Sequence, residues 1–192
     1  QSLRRGVGVV SQEPYIFNGT LRDNIAFGKP EAKLDEIVAA ARQAGLDEFI
    51  SCLPDRYQTQ IGERGANLSG GQRQRLAIAR ALVQQPEVLL FDEATSHLDT
   101  ATEQAIQGNL QEALTGKTVV VVAHRLSTVK TADVIYVVDD GRVVEQGDHH
   151  SLLDRDGRYA ALWRAQTGGA CQAAPALAAC IEFDSPSTQL SV

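Results

Sequence analysis

An α/β fold built on a mostly parallel sheet is predicted by two apolar runs, Val88 to Phe91 and Thr118 to Ala123, and by the stretch Thr100 to Leu114 between them, which reads as a helix. Neither run alternates with polar residues, the pattern of strands covered on both faces. Parallel neighbours need a crossover, usually helical, so the three segments form a β-α-β unit.

The remaining elements follow in chain order. Gly6 to Val10 is a short β-branched run that serves as a strand, and Pro14 in the Ser-Gln-Glu-Pro that follows forbids a continuing ladder. An amphipathic helix is marked by Pro30 at its start, Leu34, Ile37, Val38 and Ala41 at helical spacing, and Gly45 at its exit. A second helix is expected from about Gly70 to Gln84, stopping before Pro86. Val134 to Val138 and Arg142 to Glu145 flank Asp-Asp-Gly, a hairpin signal for the edge of the sheet. Ser151 to Gln166 reads as helical, with Leu152, Leu153, Tyr159, Leu162 and Trp163 as its apolar members. From Thr167 onward Gly, Ala, Pro and Ser dominate, and a mobile tail is expected, leaving one domain over 1–166.

The chain has 192 residues, enough for one domain with a buried core. A formal net charge of -6 speaks against a partner gripped through a basic surface, so nucleic acid is not expected. No apolar run approaches the roughly 18 to 20 residues that cross a bilayer, and no signal segment is evident. Cys52, Cys171 and Cys180 lack metal-ligand spacing and fit a reducing compartment. There is no Met and the chain opens on Gln1, which leads to the expectation of a piece whose N-terminal part lies outside this sequence.

Two short segments carry the chemistry. Residues 68 to 75 read Leu-Ser-Gly-Gly-Gln-Arg-Gln-Arg and open the second helix. Unpaired N–H groups and the helix dipole attract anions at such an end, Gly70 and Gly71 let the backbone approach a phosphate, and the Ser69 hydroxyl can cap the helix or donate to the same phosphate. Residues 88 to 93, Val-Leu-Leu-Phe-Asp-Glu, end a buried strand in two acids. Asp92 there can hold Mg²⁺ directly or through water, and Glu93, pointing to the other side of the strand, can take a proton from an attacking water. His124 ends the next apolar strand and Gln12 follows the first, so both should emerge at the edge that carries Asp92 and Glu93.

In this order and spacing the segments resemble the nucleotide-binding domain of ATP-binding cassette (ABC) ATPases over about residues 5 to 165. Leu68 to Arg75 is similar to the family's signature sequence, Leu89 to Glu93 to its Walker B strand and catalytic glutamate, Ser96 to Asp99 to its D-loop, Gln12 to its Q-loop glutamine and His124 to its switch histidine. The resemblance implies a P-loop NTPase-like α/β domain whose helical subdomain, about residues 20 to 85, carries the signature. It implies that Glu93, His124 and Gln12 serve hydrolysis of ATP, that Asp92 and Gln12 touch Mg²⁺, and that Asp99 links two nucleotide sites. Ser69, Gly70, Gly71 and Gln72 are then expected to close over an ATP held by a second nucleotide-binding domain in a head-to-tail dimer. His97 stands where the family usually has a small residue.

Thr59 to Gly65 resembles the X-loop of exporters, which meets the transmembrane domain; Gln60 replaces an acid usual near its start, whereas Glu63 and Arg64 are retained. Phe17 to Ile25 is similar to the exporter pattern after the Q-loop. The implied protein is the ATP-hydrolysing part of an exporter at the cytoplasmic face of a membrane, the inner membrane if the source is bacterial. A soluble ABC ATPase and a non-catalytic module that only donates its signature are the alternatives. One expected part is missing: no Gly-x-x-x-x-Gly-Lys-Ser/Thr occurs, since five residues before Gly116-Lys117-Thr118 stands Gln111. Poor binding of ATP by this chain alone is expected.

Overall fold

The computed structural model describes residues 6–92, 114–123 and 126–168, together with the backbone of 177–182. Strand β1 (Val7–Val10) leads through a loop to a two-residue strand β2 (Gly19–Thr20) and helix α1 (Leu21–Ala26). Helices α2 (Leu34–Gln43) and α3 (Asp47–Ser51), strand β3 (Gln60–Ile61) and helix α4 (Gly70–Leu82) follow. Then come β4 (Val88–Asp92), β5 (Thr118–Ala123), α5 (Leu126–Val129), β6 (Val134–Asp139), β7 (Arg142–Gly147), α6 (His149–Asp154), α7 (Arg158–Thr167) and β8 (Leu177–Glu182). The expected crossover helix at 100–114 falls outside the described residues apart from Leu114.

The main sheet has the order β1-β4-β5-β8-β6-β7. Its first three strands are parallel and paired without a slip, Val7 with Val88 and Val88 with Thr118. Along β4 buried residues alternate with half-buried ones up to the exposed Asp92, and β5 buries Val119 and Ala123 with its other residues half-buried. The α/β class and its parallel sheet are therefore as the sequence predicts. Asp140 (φ 47°) and Gly141 (φ 73°) both take left-handed backbone, the twist-matched turn that Asp-Gly favours between β6 and β7.

Helices α1 to α4 pack into one core with Val10, Leu89, Phe91 and Val119 of the sheet. A second core joins Ala123, Ile135 and Val137 of the sheet to Leu126, Val129, Leu152 and Tyr159. Half-buried Val121 touches both. Helix α4 is central to the first, burying Gln74, Leu76, Ala77, Ile78, Ala79, Ala81 and Leu82.

Three sequence expectations need correction. Helix α2 starts at Leu34, not Pro30, because Glu36 turns back to accept the Lys33 N–H at 2.8 Å and the Lys29 ammonium at 2.5 Å, fixing the start there. These bonds, that of Lys29 first, hold the Glu36 carboxyl below its ordinary range. Leu34 consequently lies outside the buried stripe at 51% exposure, while Ile37, Ala40 and Ala41 form it. The helix expected over Ser151 to Gln166 is two helices, parted where Asp156 takes φ 53° and Gly157 caps α7. Glu145 stabilises the second by accepting the N–H groups of Arg158 at 2.5 Å and Tyr159 at 3.0 Å, a carboxylate on a helix N-terminus.

The third correction concerns the tail. Residues 177–182 form a strand between β5 and β6, with Val120 opposite Cys180 and Ile135 opposite Ala179. Because β8 runs against both neighbours, β5 and β6 are parallel to each other and separated by its width. The short run Leu-Ala-Ala-Cys-Ile satisfies two ladder edges that would otherwise be open in the middle of a sheet.

The exposure difference within α2 is testable. Ile37→Ala removes a fully buried side chain and should cost about 2 to 5 kcal/mol, whereas Leu34→Ala should cost less than about 1 kcal/mol. Urea unfolding midpoints of the two variants check this order.

Candidate functional site

Parallel pairing decides which residues meet. Val10 lies opposite Phe91, and Asp92 lies opposite Val122, so β1, β4 and β5 end within a residue or two of one level. Gln12, two residues past β1, and Asp92, the last of β4, therefore reach the carboxyl-terminal edge of the parallel strands, where ligands collect in such sheets. Glu93, Asp99 and His124 lie outside the described residues, but β4 and β5 end immediately before Glu93 and His124.

Asp92 is exposed, so its carboxylate is accessible to a cation. Among the described residues no group of three or more His, Cys, Asp or Glu could hold a metal. A single exposed strand-end carboxylate is compatible with Mg²⁺, which takes one or two protein oxygens and fills its octahedron with water and phosphate.

At the start of α4 the Ser69 Oγ accepts the Gln72 N–H at 3.2 Å, and the Gln72 Oε1 accepts the Ser69 N–H at 2.8 Å. This is a capping box, one of the two uses of Ser69 that the sequence leaves open. Both uses are compatible, because the cap employs a lone pair of the hydroxyl and leaves its proton to donate. Ser69 and Gly70 are exposed, with Gly71 and Gln72 half-buried behind them.

A cleft of about 570 Å³ separates this helix start from the loop after β1, lined by Gln12, Glu13, Tyr15, Arg64, Gly70 and Arg73 among others. Buried Gln74, also on its wall, donates to the Ser11 carbonyl at 3.4 Å, and Arg73 donates to the Leu68 carbonyl at 2.7 Å. Structure thus brings Gln12 near Arg64 and Gly70. The cleft's lining does not include Asp92. Arg64 takes left-handed backbone (φ 54°), and the turn around it is fastened by Asn67, whose amide donates to the Gln60 carbonyl at 3.0 Å and accepts from the Gly62 N–H at 3.3 Å. Strand β3 at its start pairs antiparallel with β2.

The family model described as ABC transporter matches residues 1–96, half of the chain. The chain belongs to the ABC transporter family. It is 52% identical over 165 residues to ABC transporter B family member 18 of Arabidopsis thaliana, covering 85% of this chain and 14% of that protein. To the ATP-dependent lipid A-core flippase of Legionella pneumophila (strain Paris) it is 50% identical over 169 residues, covering 88% of this chain and 29% of the flippase. A solved structure of a bacterial Atm1-family ABC exporter with ATP bound superposes with a TM-score of 0.84 at 48% identity, over 89% of this chain and 30% of that one. The chain thus spans less than a third of the length of these relatives. Within the ABC transporter family it is a nucleotide-binding domain of the exporter type.

Four polar residues in and around this cleft have no role assigned by the sequence motifs. Arg73 and Gln74, inside the signature octet, line the cleft, whereas Asn24 and Arg80 lie outside its lining, and what marks all four is a polar side chain buried or half-buried on helix α1 or α4. If the Ser69 cap has the strength its geometry implies, Ser69→Ala should destabilise the chain by about 1 kcal/mol and Ser69→Gly by only a few tenths. Chemical denaturation of both variants measures this.

Proposed function

We propose that this chain is the signature-bearing, ATP-hydrolysing part of an ABC exporter, coupling hydrolysis of ATP to movement of a substrate across a membrane. The observation that carries the reading is the shared level at which β1, β4 and β5 end, with Gln12 and Asp92 at one sheet edge. Phosphoryl transfer to water asks a protein chiefly for positioning and charge stabilisation, and an edge lined by polar groups without a covalent nucleophile suits it.

In this reading Asp92 and Gln12 hold Mg²⁺, whose charge offsets that of the phosphates. Glu93 accepts a proton from the water that attacks the γ-phosphorus, as the bond to the bridging oxygen breaks and ADP leaves. His124 and Gln12 orient that water and the γ-phosphate. Asp99 links this site to its counterpart across the dimer. Ser69, Gly70, Gly71 and Gln72 face the other way, donating to an ATP held by the Gly-rich loop of a second nucleotide-binding domain placed head to tail. The 192 residues contain no such loop, so the nucleotide over Asp92 is gripped by a segment this chain does not supply.

The transmembrane domain meets the other side of the cleft. Tyr15 (63% exposed), which lines the cleft with Arg64, and Phe27 (58%) leave aromatic surface uncovered, and uncovered aromatic surface favours a protein partner. Among the described residues no helix is long and apolar enough to cross a membrane, and in this reading the spans belong to other sequence. In this reading the site lies at the cytoplasmic face of the membrane.

Glu93→Gln in the longer protein that contains this chain is the test. Loss of the general base should lower ATP hydrolysis by about 100-fold or more while Mg·ATP still binds, followed by phosphate release and nucleotide binding. Unchanged hydrolysis would remove Glu93 as the base and favour a signature-donating module without its own catalysis.

A further inference from the structure

Arg80 lies near the C-terminal end of α4, three turns and about 16 Å beyond Ser69 and on the same side of the helix. Its guanidinium reaches out of α4 to the segment that follows Gln12. Nη1 donates to the Tyr15 carbonyl at 2.7 Å, Nε to the Asn24 carbonyl at 2.9 Å and Nη2 to the Asn24 Oδ1 at 3.0 Å. The same group lies 5.0 Å from the Phe17 ring centre and 5.7 Å from that of Phe27. Phe17 and Phe27 stack at 4.1 Å, and Tyr15 meets Phe17 edge-on at 5.0 Å. One cation therefore binds both the backbone and the rings of an exposed aromatic face.

The far side of the joint is equally firm. Buried Asn24 donates from Nδ2 to the carbonyls of Phe17 and Thr20 at 2.9 and 3.0 Å and accepts the Phe17 N–H at 2.9 Å, so the loop and α1 are already one unit when Arg80 grips them. Close approach continues at Gly28, where a Cβ would collide with the Arg80 carbonyl oxygen. Lysine could not replace this arrangement, because an ammonium lacks the planar fork that reaches separate acceptors at once.

We propose that Arg80 is a positioning residue that fastens the Tyr15–Phe17–Phe27 face to the signature helix, so that any displacement of α4 at its Ser69 end is passed to this face as a rigid-body movement. It touches neither nucleotide nor Mg²⁺. The fastening is independent of the ATPase reading; the use of it, transmission of nucleotide closure to a docked partner, rests on that reading.

Two measurements test the proposal with Arg80→Ala and Arg80→Lys. In the 192-residue chain, amide hydrogen exchange over 15–27 should quicken about tenfold in Arg80→Ala and by less in Arg80→Lys, with exchange over 70–82 unchanged. Unchanged exchange over 15–27, or an equal rise in α4, overturns the fastening. In the longer protein, KM for Mg·ATP should stay within about twofold while kcat falls about tenfold in Arg80→Ala, with partial recovery in Arg80→Lys. An unchanged kcat with a loosened face would overturn the transmission. The exchange measurement needs no ATP, so its outcome stands whether or not Glu93→Gln supports the ATPase reading.

Discussion

The in-register parallel pairing of β1, β4 and β5 is the constraint on which the rest of the site depends. A slip of β1 by one residue against β4 would turn its side chains to the other face, moving Val10 out of the core it shares with Leu89 and Phe91. It would also separate the levels of Gln12 and Asp92. Burial of these apolar residues, each worth about 1.5 to 3 kcal/mol, therefore fixes the position of polar groups that contribute little to stability themselves. The core holds the register, and the register delivers the edge.

Helix α4 carries the second set of groups and is anchored differently. Its N-terminal end is open to solvent and closed only by its own Ser69–Gln72 box, while its length is buried against both the helices and the sheet. Gln74 ties it to Ser11 beside Gln12, and Arg80 ties it to Tyr15 and Asn24. Both bonds run from α4 to the chain that leaves β1. The loop between β1 and α1 is thereby held to the sheet at one end and to the signature helix along its length, which places it to respond to both.

Elements with strong periodicity or turn chemistry were legible from sequence: β4 and β5 from their apolar runs, the β6–β7 hairpin from Asp140-Gly141, and α4 from Ser69 and Pro86. The amphipathic helix at 34–43 was visible, but its start was not, because Glu36 competes with Pro30 through bonds that depend on Lys29 and Lys33. Helix α1 has no expectation in the sequence, and the Thr20–Asp23 box and Asn24 supply its order. The strand at 177–182 could not be foreseen, since Leu-Ala-Ala-Cys-Ile has little intrinsic strand preference and owes its form to the two edges it pairs. For the site, Gln12 and Asp92 follow from strand ends, and Ser69 to Gln72 from a helix start. The grouping of Gln12 with Arg64 and Gly70 in one cleft was not visible, because it depends on tertiary packing of α4.

Gln12 and Asp92 sit at one edge of the parallel strands, Ser69 to Gln72 form a capped helix start, and the 192 residues contain no Gly-x-x-x-x-Gly-Lys-Ser/Thr. The central claim is that these are parts of two nucleotide sites and that the 192 residues contain neither site whole. Phosphate release from Mg·ATP by this chain alone tests the claim most directly. Release no faster than in buffer is the expected result; sustained turnover by the chain would contradict it.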